Sequence, residues 1–186
     1  MNTPNKLTLL RVILIPAFVI VYLMPGLAHN YFWALAVFGA ASVTDLLDGQ
    51  LARKYGIVTD FGALMDPLAD KLLVMAALLC FLHSGLVHTA IAIILLGREF
   101  LVTSIRLVAA GKGKIIAADK WGKLKTVFQM IWINAGLFFL WLDTWFRWRE
   151  VPYWILFDGL TLLVLLLTTI SGLNYLLKNR ELFADS

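Results

Sequence analysis

Asp45, Asp48, Asp66 and Asp70 stand in two pairs, spaced three and four residues apart, within a strongly apolar sequence. On a helix, those spacings put both carboxylates of a pair on one face. Gly49 and Ala52 share the face of Asp45 and Asp48, where small residues leave room for a ligand or a second backbone. The short link from Arg53 to Gly62 lets the chain turn back and set the second pair beside the first. Four carboxylates gathered this way repel one another and resist ionisation unless a cation lies among them. A hard divalent ion meets that need, since Mg²⁺ takes carboxylate oxygens together with the phosphate oxygens of a substrate. Two such ions about 3.5–4 Å apart polarise a phosphoryl group and stabilise a departing phosphate. The competing reading is that the aspartates cap helices or pair with Arg53, Lys54 and Lys71. Four carboxylates at these spacings favour metal-assisted phosphoryl transfer, because charge at membrane depth is costly unless it serves a function.

The elements that position these groups are expected to be membrane helices. Of the 186 residues, 61% are hydrophobic and 15% charged, against about 45–50% and 25% in soluble domains. Nearly charge-free runs at 72–82, 86–96, 126–142 and 159–170 each lie inside a longer apolar stretch, and a spanning helix needs about 20 such residues. Six spans fit, at about 7–25, 31–54, 62–84, 86–110, 121–146 and 152–177, in a single domain over 1–186 with no internal repeat. The breaks carry loop residues: Pro25-Gly26, His83-Ser84-Gly85, Gly111-Lys112-Gly113 and Arg149-Glu150-Val151-Pro152. The first span has the outline of a signal peptide, with Lys6 and Arg11 ahead of Val12–Leu23 and Gly26-Leu27-Ala28 after it. The apolar runs that follow favour a retained span.

Orientation follows from the basic residues. Lys6, Arg11, Arg53, Lys54, Lys112, Lys114, Lys120, Lys123, Lys125, Lys178 and Arg180 gather on one side, against Arg147 and Arg149 on the other. The basic side is expected to be cytoplasmic, with both termini and the aspartate rim facing it. The net charge of +4 is in part this topology signal, and no nucleic-acid partner is expected. Trp141, Trp145, Trp148 and Trp154 read as an interfacial belt near the opposite face. Cys80, the only cysteine, reads as a small buried hydrophobe. His29, His83 and His88 fall at or near loops on the face opposite the aspartates, which argues against a metal role in that site.

The stretch Asp45-Leu-Leu-Asp48-Gly49-Gln-Leu-Ala52-Arg53, then eight residues to Gly62, three to Asp66 and three to Asp70, resembles the signature of the CDP-alcohol phosphotransferases. Every fixed position of that signature is present at its spacing, and the six-span layout is similar to the family's. The resemblance implies two Mg²⁺ or Mn²⁺ ions held by Asp45, Asp48, Asp66 and Asp70, with Asp70 also taking the proton of the attacking hydroxyl. It implies that Gly49, Ala52, Arg53 and Gly62 line the pocket of a CDP-linked lipid, and that Asn5, Thr8 and Arg11 approach the CDP group. It also makes a homodimer plausible. From the residues alone, Thr3 reads as an N-cap with Pro4 at the first helical position, and Asn5, Thr8 and Arg11 follow at spacings of three. Pro67 leaves two starts for the third span. Either Asp66 caps it, or it begins near Asp60 and continues through the proline, which suits the aspartates better.

The signature does not name the acceptor alcohol. Arg98 falls near the middle of the fourth span, Arg106 nearer the cytoplasm, and Lys123 and Lys125 open the fifth. Arginine suits planar recognition of phosphate, and lysine serves it as a point charge. These four are therefore expected to hold a phosphorylated acceptor, although Lys123 and Lys125 also suit anionic lipid and Arg98 a structural ion pair. As helix neighbours, Arg98 and Glu99 are expected to point apart and find separate partners. The stretch Gly97–Thr126 resembles the corresponding region of family members that make phosphatidylglycerophosphate. The resemblance thus implies transfer from CDP-diacylglycerol to glycerol 3-phosphate, in the cytoplasmic (inner) membrane. Inositol phosphate or serine is the alternative acceptor, and a divalent-cation transporter is the alternative class.

Overall fold

A computed structural model describes the backbone of residues 3–55, 60–114, 116, 120–146 and 153–181, and the side chains of that set apart from 3–6, 46–55, 60–61, 63–64, 145–146 and 153–154. Among the described residues the chain is all helical. Its elements are α1 (Thr3–Leu23), α2 (Asn30–Tyr55), α3 (Asp60–His83), α4 (Thr89–Gly111), α5 (Lys120–Phe146) and α6 (Tyr153–Lys178). Their bounds fall within a few residues of the six expected spans. Two of them, over Lys120–Thr144 and Ile155–Lys178, are long and apolar enough to cross a membrane by length and composition. The described apolar stretch of α1, Leu7–Leu23, is shorter, and the remaining helices carry charged residues: Asp45 and Asp48 in α2, Asp66, Asp70 and Lys71 in α3, and Arg98, Glu99 and Arg106 in α4.

Local chemistry sets the helix ends. α3 stops at a Schellman motif, with Leu86 N–H donating to Phe81 O and Gly85 N–H to Leu82 O. Gly85 supplies the left-handed residue, at φ 72°. α4 ends the same way, with Lys114 N–H donating to Ala109 O and Gly113 N–H to Ala110 O at φ 71°. Both stops coincide with glycine breaks legible in the sequence. α4 starts at His88, whose Nδ1 accepts from Ala90 N–H at 3.3 Å. α3 begins at Asp60 and continues through Pro67, so Asp66 lies inside the helix and does not cap it.

The chain packs as two compact units, with α5 split between them. In the first unit, 1–86 with 134–150, α1 packs along both α2 and α3. The buried stripe of α1 runs Thr8, Arg11, Ile15, Phe18 and Tyr22, at spacings of three and four. Phe18 lies 5.7 Å from Phe38 of α2, and Tyr22 lies 6.5 Å from Phe81 of α3, ring centre to ring centre. Tyr22 Oη donates to Ser84 Oγ at 2.8 Å, closing that end of the stripe. Ala34 and Ala41 on α2, and Ala69 and Ala77 on α3, are fully buried, and such small residues let helix backbones approach closely. Cys80 is buried and free, as its apolar surroundings suggest. Trp141 packs on Phe32 and Phe138, while the side chains of Trp145, Trp148 and Trp154 lie outside the described residues.

In the second unit, 87–133 with 151–186, α4 packs on α6. Val102, Ile105 and Ala109 of α4 meet Tyr175 of α6 in a buried cluster. Trp132 of α5 stacks on Phe157 of α6 at 5.8 Å and donates its indole N–H to Thr161 Oγ1 at 2.8 Å.

Phe18→Ala removes the ring that joins α1 to α2 and is expected to cost about 3 kcal/mol or more. Ile13→Ala, on the exposed side of the same helix, is expected to stay within about 0.5 kcal/mol. Thermal unfolding of both variants in one detergent checks the pair.

Candidate active site

Asp45 lies on the buried stripe of α2, one turn beyond Ala41, and Asp66 and Asp70 begin the corresponding stripe of α3 ahead of Leu73 and Ala77. α1 ties the two helices together at this level. Arg11, fully buried, sets its Nη1 2.8 Å from Asp45 Oδ1. Three residues earlier, Thr8 Oγ1 donates to Asp66 Oδ1 at 2.6 Å. Thr8 and Arg11, expected from the resemblance at the CDP group, therefore contact the carboxylates themselves. Lys71, weighed as a partner for the aspartates, donates its Nζ to the carbonyl of Pro67 at 3.3 Å. Gly62 is buried near the start of α3. The side chains of Asn5, Asp48, Ala52 and Arg53, with Gly49, lie outside the described residues, although the backbone of 48–53 continues α2.

Among the described residues, no three His, Cys, Asp or Glu side chains come together as metal ligands. The side chain of Asp48, the fourth carboxylate of the expected set, lies outside them. The donor chemistry nonetheless fits a hard divalent cation. Asp45 keeps 39% of its side chain exposed, Asp66 and Asp70 are partly exposed, and an all-carboxylate set suits Mg²⁺ or Mn²⁺. Among the described residues, Arg11 offsets the charge of one of these carboxylates, Asp45.

In the second unit, Glu99 of α4 is the hub of the basic residues. Arg98 Nη1 lies 3.1 Å from Glu99 Oε1, and Lys125 Nζ of α5 pairs with the same oxygen. The expectation that the neighbours Arg98 and Glu99 point apart is half right. Each has a partner on another helix, yet the long guanidinium arm also reaches round to its neighbour. Arg98 Nη2 donates to Ser171 Oγ of α6 at 2.6 Å. Two glycines leave room for that arm: a Cβ on Gly172 would stand 3.2 Å from Arg98 Cγ, and one on Gly122 would stand 3.5 Å from its Nη2. Arg98, Lys125 and Glu99 together carry one net positive charge. Arg106 is exposed, donates Nε–H to Tyr175 Oη at 3.1 Å and lies over that ring at 5.6 Å. Lys123 is exposed, whereas Lys125, two residues on, is buried. Of the four expected phosphate-binding residues, the structure thus gathers Arg98 and Lys125 around Glu99, sets Arg106 on Tyr175 and leaves Lys123 exposed. Sequence reasoning missed Ser171, Gly172 and Tyr175. Their signal is the spacing of Thr161, Thr168, Ser171 and Tyr175, which share one helix stripe within an apolar run.

The family model for CDP-alcohol phosphatidyltransferases matches residues 1–173. The chain belongs to that family. It is 38% identical over 200 residues to a Bacillus subtilis (strain 168) protein named CDP-diacylglycerol--glycerol-3-phosphate 3-phosphatidyltransferase, covering 100% of this chain and 98% of that one. It is 37% identical over 191 residues to the Escherichia coli (strain K12) protein of the same name, covering 99% and 98%. A Mycobacterium tuberculosis (strain ATCC 25618 / H37Rv) protein named probable phosphatidylglycerophosphate synthase is 37% identical over 179 residues, covering 95% and 81%.

Arg11→Met leaves Asp45 without its cation. Because Asp45 is partly hydrated, the expected cost is about 2 kcal/mol, below the roughly 3–5 kcal/mol of breaking a fully buried pair. Adding Asp45→Asn is expected to recover part of it, as read by thermal unfolding with a metal chelator present.

Proposed function

We infer that the chain transfers the phosphatidyl group of CDP-diacylglycerol to glycerol 3-phosphate, giving phosphatidylglycerophosphate and CMP. Full-length similarity to the Bacillus subtilis protein of that name, together with an intact family signature, carries this reading.

The proposed setting is the cytoplasmic membrane, with α1 to α6 as six spans, the whole chain as one catalytic domain, and both termini and the site on the cytoplasmic side. The match between helix bounds and expected spans supports this, as does the distribution of basic residues. Asp45, Asp48, Asp66 and Asp70 would hold two Mg²⁺ or Mn²⁺ ions. When bound, these ions supply charge neutralisation for the diphosphate of the donor lipid and for the phosphate that leaves with CMP.

The protein's own groups do the rest. Gly49, Ala52, Arg53 and Gly62 line the nucleotide pocket, and the small residues among them leave space for the cytidine. Arg11 and Thr8 fix the directions of Asp45 and Asp66, so those carboxylates need not reorganise when the donor arrives. Asn5 belongs to the same N-terminal face. Asp70 accepts the proton of the acceptor hydroxyl as its oxygen bonds to the lipid-side phosphorus and the bond to CMP breaks. The acceptor's phosphate is held by some of Arg98, Arg106, Lys123 and Lys125. Glu99 cancels one of the two cations beside it, the buried Lys125 and the part-buried Arg98, and the remaining positive charge calls for an anion.

CMP release by the purified chain, with CDP-diacylglycerol, Mg²⁺ and each acceptor offered separately, tests the assignment. Turnover is expected with glycerol 3-phosphate and not with serine or inositol phosphate. Turnover restricted to another acceptor would overturn the acceptor assignment. Asp70→Asn is expected to lower kcat roughly 10²–10⁴-fold. Gly172→Ala, which crowds Arg98, is expected to raise KM for glycerol 3-phosphate roughly threefold to tenfold and leave KM for CDP-diacylglycerol unchanged. Gly159→Ala on the same helix, where an added Cβ meets nothing within 4 Å, is expected to alter neither.

A further inference from the structure

Two buried polar groups of the second unit take no part in the cluster around Glu99. Gln129 of α5 is 3% exposed and Thr168 of α6 is 0% exposed. Among the described residues, neither Gln129 Nε2 nor Thr168 Oγ1 has a hydrogen-bond partner, and the same holds for Arg98 Nε. In a helix at membrane depth, each such group forfeits its hydrogen bonds to water with nothing in return. Polar side chains that serve as glue between helices are paired. Trp132 and Thr161, on the same two helices, show what that pairing looks like at 2.8 Å.

The placement of these groups follows from two fixed points. Gly122 faces Ser171, with a Cβ on the glycine only 3.8 Å from Ser171 Oγ, and Trp132 meets Thr161. Residue numbers therefore rise along α5 as they fall along α6, and the two helices run antiparallel through this stretch. Gln129 and Thr168 both lie between those points. Gln129 is one turn on from Lys125 on the same stripe of α5, and Thr168 is one turn back from Ser171 on the same stripe of α6. The interval is thus bounded by the Arg98–Ser171 contact at one end and by the Trp132–Thr161 pair at the other. Within it, an amide NH₂, a hydroxyl and a guanidinium Nε–H are uncommitted next to a cation cluster of net positive charge.

A small phosphorylated polyol matches this set. Its phosphate meets the net charge at Arg98, and its hydroxyl can accept from an amide N–H while donating to or accepting from a threonine hydroxyl. We propose that Gln129 and Thr168 bind the non-reacting hydroxyl of the acceptor and so select a phosphorylated polyol over a plain phosphorylated alcohol. This rests on the acceptor being glycerol 3-phosphate and adds the residues that read the acceptor's carbon skeleton. A site built to hydrogen-bond a substrate hydroxyl discriminates strongly against the analogue that lacks it, because its own buried groups are then left unpaired.

The test compares glycerol 3-phosphate with 3-hydroxypropyl phosphate, which keeps the phosphate and the reacting hydroxyl but lacks the middle one. CMP release is followed for the full chain, Thr168→Val and Gln129→Leu, with inhibition by inorganic phosphate measured in parallel. The unmodified chain is expected to prefer glycerol 3-phosphate in kcat/KM by about a hundredfold or more. Each variant is expected to lose about tenfold or more of that preference, by losing activity on glycerol 3-phosphate and not on the analogue. KM for CDP-diacylglycerol and the inhibition constant of inorganic phosphate are expected to hold, which a general loosening of the helices would not allow. Absence of discrimination in the unmodified chain, undiminished preference in both variants, or equal loss of phosphate inhibition would each overturn the proposal. No CMP from the unmodified chain with either acceptor would overturn the reaction itself, and this inference with it.

Discussion

Carboxylates on two separate helices need a third element to hold them, and α1 supplies it. Arg11 is fully buried where its guanidinium meets Asp45. Thr8, on the same stripe, holds Asp66. Neither contact could keep its geometry if α1 slid or rotated. The lower part of the same stripe prevents that: Phe18 is wedged against Phe38, and Tyr22 lies among Tyr31, Phe81 and Ser84. One helix face therefore carries packing at one end and electrostatic positioning at the other.

The second unit repeats this arrangement with the opposite charge. Its inward-facing stripes are apolar at one end and polar at the other: Leu95, then the part-buried Arg98 and Glu99, on α4; Trp132, then Gln129 and Lys125, on α5; Phe157, then Thr168 and Ser171, on α6. Glu99 holds two cations, the buried Lys125 and the part-buried Arg98, by cancelling one of them, and Gly122 and Gly172 give the arginine room to lie between helices. Joining a phosphorylated alcohol to an activated phosphatidyl group would call on both kinds of chemistry, carboxylates that suit a divalent cation and cations that suit a phosphate.

Much of this is legible in the sequence because each signal is local. The glycine stops at Gly85 and Gly113, the start of α3 ahead of Pro67, and the carboxylate spacings all follow from helix geometry over one or two turns. What escapes is the pairing across helices. Arg11 reads as a topology signal and a nucleotide-facing residue, because nothing in the chain order brings it to Asp45 on the next helix. Ser171 reads as one more small residue in an apolar run, and only the packing of α4 on α6 turns it into the partner of Arg98. The separation expected for Arg98 and Glu99 rests on helix angles alone and neglects how far a guanidinium reaches.

The most direct measurement is the fate of oxygen during turnover. Glycerol 3-phosphate labelled with ¹⁸O in its reacting hydroxyl is supplied with CDP-diacylglycerol to the purified chain, and both products are analysed by mass. Attack on the lipid-side phosphorus predicts full retention of the label in phosphatidylglycerophosphate and none in CMP. Label in the nucleotide product, or no lipid product carrying it, would contradict phosphatidyl transfer and the roles assigned to both sets of residues.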